Sequence, residues 1–464
     1  MLFSSFSFLF WFLPFTLLLY FVPELAGQRD TRRALVWHNT VLLVASLFFY
    51  AWGEPVYVLL MLGTVSLNAL LALAIPHASH PRVPLWCAIV LDVGLLLFFK
   101  YPPLVGFAAP HLPLGISFYT FQALSYVSDV YAGRAKPSKN PFTVCLYVAL
   151  FPQLIAGPIV RYTDVNTALA HRTTTLEDAA AGATRFTAGL AKKVLLANGA
   201  GALFAQFGSR GTDSAIGAWL ALLGFTFQIY FDFSGYSDMA IGIGRIFGFR
   251  FPENFNYPYV ARSVTDFWRR WHITLSSFFR EYVYIPLGGS RCTSAKTVCN
   301  LLIVWALTGL WHGASWNFLF WGLYYFLLLL AEKFLLRNLL SRTPRALGIT
   351  MTALATLGGW LLFAFDGSTP ALALSRLPVF LVTLIGLGKE GISAGADLYD
   401  LVRSLPLLTI CAIGATPLPR RLFRRITVRK NGDIWRVALP ICSLLLSVAA
   451  LADAGYNPFL YFRF

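Results

Sequence analysis

The chain has 464 residues, of which 57% are hydrophobic, 16% aromatic and only 12% charged, about half the charged share of an ordinary soluble domain. With a mean hydropathy of +0.64 it cannot cover a soluble surface, which excludes a cytosolic enzyme, a disordered chain, a coiled coil and a disulfide scaffold. The 37 basic and 21 acidic residues give a net +16; because that charge lies between apolar segments, it reads as cationic cytoplasmic loops beside a membrane and not as nucleic-acid binding.

Leu2 to Val22 is apolar all round, whereas the strands of a membrane β-barrel alternate over segments of about ten residues, so the spans are helical. No basic residue precedes this run, and Arg29, Arg32 and Arg33 follow it. It is therefore expected to remain as a helix that starts outside. Further spans are expected at 35–52, 55–75, 83–99, 113–131, 142–157, 214–232, 299–311, 314–333, 350–366, 371–388, 404–416 and 434–452. Phe151-Pro152-Gln153 and Ala156-Gly157-Pro158 interrupt one of them, and a broken helix at membrane depth must be buried in protein or line a cavity.

Two stretches resist placement by hydropathy. Tyr162 to Lys193 is moderately polar, and Gly248 to Arg291 mixes aromatics with arginines. The second is too polar to span and too aromatic for a solvated loop, so it is expected to form re-entrant or interfacial helices. Arg420, Arg421, Arg424, Arg425, Arg429 and Lys430 read as a cytoplasmic loop, which puts 417–430 inside. The six cysteines form no CxxC and read as small buried hydrophobes. No internal repeat or inverted duplication is apparent, and a single domain over 1–464 is expected, with its motif-rich part at about 113–333.

Of seven histidines, two have settings that suggest proton transfer. His312 lies in Leu310-Trp311-His312-Gly313 within an apolar region, where ionisable residues commonly face a cavity; the plainer alternative is a neutral ring satisfied by a backbone carbonyl. His272 lies in Phe267-Trp268-Arg269-Arg270-Trp271-His272. A helix there would put Arg269, His272 and Ser276 on one face and let Asp266 reach Arg270. Guanidinium groups among aromatics suit an anion such as phosphate or carboxylate, or merely an interfacial anchoring belt. His38, His77, His80, His111 and His171 lack such settings, and no metal-ligand set is readable. Asp92, Asp129, Asp232 and Asp366 are costly inside a membrane and could pair with an arginine, orient a histidine or line a polar path. Gly242-Ile243-Gly244 reads as a close-packed helix and not a phosphate loop.

Asp232-Phe233-Ser234-Gly235-Tyr236-Ser237-Asp238, Asn254-Phe255-Asn256-Tyr257-Pro258-Tyr259, the segment from Phe267 to His272, Tyr284-Ile285-Pro286-Leu287-Gly288-Gly289 and Trp311-His312-Gly313 follow one another as they do in a known superfamily. In order and wording the chain resembles the membrane-bound O-acyltransferases, and within them the bacterial branch that acetylates alginate and other exopolysaccharides. Phe151 to Arg161 and Tyr456-Asn457-Pro458-Phe459 extend the likeness over most of the chain. The resemblance implies an all-α ring of transmembrane helices around a central funnel with re-entrant helices, in a bacterial inner membrane. It implies a catalytic histidine pair at His272 and His312, the second the principal one. No bound cofactor is implied; acetyl-CoA or another acyl thioester is the expected donor, a polysaccharide the acceptor, and a periplasmic esterase-like protein a partner. Arg269 and Arg270 are then candidates for holding the donor. Peptidoglycan, cellulose or another glycan as acceptor, or a transporter whose histidines line a conduit, are the competing readings.

Overall fold

Backbone groups in hydrocarbon must be satisfied within their own segment, and among the described residues every regular element is helical. The computed structural model describes the chain apart from residues 29–30, 103–109, 156, 209–213, 365–369, 430–431, 454–459 and 461–464. Among the described residues seven helices are long and apolar enough to cross a membrane: Arg32–Ala51, Tyr57–His77, Arg82–Lys100, Ala215–Ile246, Ser294–His312, Arg345–Ala364 and Gly432–Asp453. Asp397–Gly414 and Leu418–Thr427 form a further apolar pair bent by 72°. The protein is an all-α, multi-pass membrane protein. Its first apolar run holds a shorter apolar helix, Phe8–Tyr20, followed after Phe21 by the short helix Val22–Leu25. The interruption expected within 142–157 falls at Leu150, between helices Pro141–Ala149 and Phe151–Leu154.

The chain divides into two compact units, Met1–Gly189 with Tyr236–Glu253 and Leu190–Gly235 with Asn254–Phe464. In the first, the polar stretch after Tyr162 folds as helices Tyr162–Ala170 and Leu176–Ala191. Its charges are consumed internally: Arg185 donates to Asp238 at 2.8 Å and to Glu253, and Arg245 donates to Asp178 at 2.9 Å. A side chain on Gly182 would collide with the carbonyl of Gly242, and the reverse, so Gly242 serves the close helix approach that the small-residue pattern suggested. Asp92 accepts from Asn68 at 3.1 Å, Asp129 pairs with Arg134 at 2.9 Å, and His38 pairs with Glu24 at 3.1 Å.

The span expected to stop near 232 continues without a break to Ile246. Asp232, Ser234, Ser237 and Asp238 lower its hydropathy, yet the protein and not lipid receives them. In the second unit Asp232 pairs with Lys193 at 2.8 Å, with both side chains 3% exposed or less, and accepts the backbone N–H of Leu460 at 2.7 Å. Lys193 stands in a π-helical turn, Lys192–Ala197, and also donates to Asn198 at 3.0 Å. Asp366 and Lys430 lie outside the described residues.

Ser294–His312 and Trp316–Phe334 form a helical hairpin. Any β-carbon on Gly309 would strike the Phe318 carbonyl, and one on Gly322 the Trp305 carbonyl. The two glycines thus let the backbones meet and hold the Trp311-His312 corner in place.

Candidate active site

Gly248 to Arg291 is neither one helix nor a loop. It breaks into short turns at Pro258–Val260, Val264–Trp268, Ile273–Phe279 and Arg280–Tyr284. The continuous helix that would align Arg269, His272 and Ser276 does not form, because His272 takes a left-handed conformation with φ +42° and caps the Ile273–Phe279 helix. For a residue with a β-carbon this costs roughly 1–3 kcal/mol and persists only where the surroundings impose it. The imposition is visible: Asn256 N–H donates to Arg270 O at 2.9 Å and Ile273 N–H to Asn254 O at 3.0 Å, so the two segments clamp the reversal between them.

Asn254 also sets the chemistry of His272. Its Oδ1 accepts from Thr274 Oγ1 at 2.9 Å and from the Thr274 backbone N–H at 3.4 Å, which identifies that atom as the oxygen. The contact of 3.0 Å from His272 Nδ1 must then be an Nδ1–H donation, and the lone pair of the neutral ring falls on Nε2. Burial pushes the His272 pKa down to about 3, so the ring is neutral across physiological pH. Phe233 meets it edge-on at 4.7 Å, one residue from the buried Asp232–Lys193 pair.

His312 ends the Ser294–His312 helix and is buried in an aromatic enclosure. Its ring centroid lies 4.8 Å from Trp311, 4.9 Å from Trp321 and 5.2 Å from Phe363. Trp311 is in turn 5.9 Å from His272, so one indole touches both imidazoles. Two histidines distant in the sequence therefore share a neighbour in the same buried cluster.

The two arginines part company. Arg269 lines a cavity of about 860 Å³ whose wall includes Trp268, Trp305 and Thr308 and whose rim carries Arg262, Arg280 and Arg337. Arg270 pairs with Asp266 at 2.8 Å, as the spacing suggested, and lines a separate concavity of about 550 Å³. Neither histidine lines either space. The nearer approach is through the wall of the larger one: Trp268 packs on Trp321 at 5.5 Å, and Trp321 packs on His312. Glu332 anchors this wall by accepting from the backbone N–H groups of Val264 and Thr265 at 2.6 and 2.8 Å. Sequence reasoning did not single out Asn254, Trp311 or Lys193 as site residues. Asn254 stood within a recognised motif, but no spacing rule pairs it with a histidine 18 positions on. Among the described residues no group of three or more His, Cys, Asp or Glu side chains is placed to hold a metal ion.

The family model for membrane-bound O-acyltransferases matches residues 138–365, which contain both histidines. The chain is 39% identical to the probable alginate O-acetylase of Azotobacter vinelandii over 100% of each chain. It is 41% identical to the corresponding protein of Pseudomonas aeruginosa, over 78% of this chain and 72% of that one. It is also 39% identical to a peptidoglycan O-acetyltransferase of Helicobacter pylori, over 70% of this chain and 68% of that one.

Proposed function

Because the chain belongs to the membrane-bound O-acyltransferase family and is a multi-pass membrane acyltransferase, we propose that it moves acetyl groups from a cytoplasmic thioester, acetyl-CoA, towards hydroxyls of an extracytoplasmic polysaccharide such as alginate. In this reading it sits in a bacterial inner membrane, and a periplasmic esterase-like protein completes transfer to the polymer. The observation that carries the proposal is the meeting of His272 and His312 at Trp311, in a chain similar to proteins named for O-acetyl transfer.

A thioester is already activated, so the residues need to position it and manage one proton. His312 serves as general base: the incoming hydroxyl oxygen attacks the carbonyl carbon as the imidazole takes its proton. The tetrahedral intermediate then collapses, the C–S bond breaks, and the imidazolium returns the proton to the departing sulfur, leaving an ester and a free thiol. His272, with Nδ1–H committed to Asn254, is not an oxyanion donor in this tautomer; its Nε2 accepts a hydrogen bond from a substrate N–H or O–H and so orients it. Asn254 is a positioning residue acting through His272. Replacing it with Ala should lower kcat with little change in donor KM. Asn254→Asp should raise the His272 pKa by placing a carboxylate beside Nδ1, so that the acid limb of the pH–rate profile moves to higher pH. Steady-state rates between pH 3 and 9 check both, and a profile unmoved by Asn254→Asp would reduce Asn254 to a scaffold.

Arg269, on the rim of the larger cavity, holds a phosphate of the donor. Arg269→Gln is expected to raise the apparent donor KM several-fold while the limiting rate changes less; donor titration with radiolabelled acetyl-CoA tests it. Arg270 contributes less directly, since Asp266 already engages it.

The acceptor has one specific rival, because the Helicobacter pylori relative is named for peptidoglycan. Counting O-acetyl esters on exopolysaccharide and on purified cell wall, in cells with and without the intact protein, decides between them. Loss of esters from the wall alone would move the proposal to peptidoglycan. Equal ester content in both materials would remove the acetyltransferase reading altogether.

A further inference from the structure

The concavity of about 550 Å³ is built from three lengths of chain that are far apart in sequence. Arg262 and Arg270 come from the broken segment before His272, Arg345 opens the Arg345–Ala364 helix, and Arg420, Arg421 and Arg424 come from Leu418–Thr427. The one acid in the lining, Asp266, is taken by Arg270. Among the described residues the other five guanidinium groups have no carboxylate partner. A cationic loop that merely obeys the orientation bias would spread its charges into water or toward headgroups. Here helices and turns that share no local sequence relation bring their charges to one open concavity, where mutual repulsion is relieved by an anion.

We propose that this basin is a phosphate-recognition site, with room in its charge for a ligand that carries more than one phosphate group. Guanidinium groups match phosphate oxygens in bidentate geometry, and five of them exceed what one monoanion needs. The ligand chemistry has two sources. One is the nucleotide end of the thioester donor, with its 3′-phosphate and the 5′-phosphate next to the ribose here and the outer phosphate left to Arg269 in the space that Arg262 also lines, and only this source rests on the function proposed above. The other is the headgroup of an anionic lipid. The Leu418–Thr427 helix suits that depth, with Leu418 and Leu422 more than half exposed beside its arginines and its axis bent 72° from the preceding span, as an interfacial amphipathic helix would lie. The basin also adjoins the candidate active site, because Asn256 and Arg270, which line it, are backbone-paired two positions along from the Asn254–His272 contact.

The test measures binding and not turnover, so it stands apart from the assignment of the histidines. The full chain is placed in nanodiscs of phosphatidylcholine and titrated calorimetrically with adenosine 3′,5′-bisphosphate. A second preparation carries added cardiolipin, whose headgroup has two phosphates, and retained lipid is read by native mass spectrometry. The triple variant Arg420→Gln/Arg421→Gln/Arg424→Gln should weaken whichever probe binds by about tenfold or more, and raised salt should weaken it further. Arg425→Gln/Arg429→Gln, on and just past the same helix but outside the lining, should leave it within about twofold. Bisphosphate binding in phosphatidylcholine alone identifies the nucleotide source; retention of cardiolipin without bisphosphate binding identifies the lipid source. If the triple variant does not insert, Arg345→Gln, from a different helix, gives the same readout. Equal retention of both probes by wild type and variants, or an equal loss in the control pair, overturns the proposal.

Discussion

An enzyme carrying His312→Ala inserts into the membrane but transfers acetyl groups at least about 10²-fold more slowly than the wild type, the usual size of general-base catalysis. The side chain lies against Trp311, Trp321 and Phe363, so truncation also opens space in the aromatic enclosure. His312→Asn, nearer in size, keeps more of that packing and separates lost chemistry from lost structure. Single-turnover acetyl transfer by purified protein in nanodiscs, with thermal unfolding as the folding control, checks both. Were the protein a conduit, either variant would reduce polymer export while leaving acetyl content per sugar unchanged. Wild-type transfer by a normally inserted His312→Ala protein would falsify the base assignment and leave His272 as the candidate.

The second large effect is on stability. Asp232→Ala leaves the Lys193 ammonium buried with its carboxylate gone and removes the acceptor of the Leu460 N–H. Breaking a buried pair from one side costs about 3–5 kcal/mol, so the variant should unfold at markedly lower temperature or be degraded in cells. Lys193→Met/Asp232→Leu removes both charges and should recover most of that loss, because replacement of a whole buried pair by apolar groups is often near neutral. Comparing unfolding midpoints of the single and double variants tests this. A double variant as unstable as the single one would show that the Leu460 contact, and not the ion pair, carries the stability.

The spans were legible because hydropathy reports what contacts lipid, and Arg32–Ala51 or Arg82–Lys100 offers most of its surface there. The same index misjudged the second half of Ala215–Ile246, where nearly every residue is buried inside the protein and Asp232 and Asp238 meet Lys193 and Arg185. Polar residues end a span only when lipid would have to receive them. Around the site, the importance of His272 and His312 could be read from their settings and from the motif wording. Their common contact with Trp311 could not, since it depends on the Gly309 and Gly322 approach in the hairpin. Nor could periodicity foresee the left-handed turn at His272, which tertiary clamping by Asn254 and Asn256 imposes against local preference. The arginines show the same limit: adjacent in sequence, Arg269 and Arg270 line different spaces because the helix before them stops at Trp268.

The Asp232 carboxylate carries a consequence for biogenesis. Its lysine partner precedes it in the chain, but the amide that completes its solvation belongs to Leu460, 228 residues later. At roughly 5–20 residues per second, the ribosome takes on the order of 10–50 s to supply that donor. For this interval the Ala215–Ile246 helix sits in the bilayer with a half-satisfied acid, held by Lys193 alone. Nascent chains arrested before Leu460 should therefore be the form in which membrane proteases and insertion chaperones find this protein.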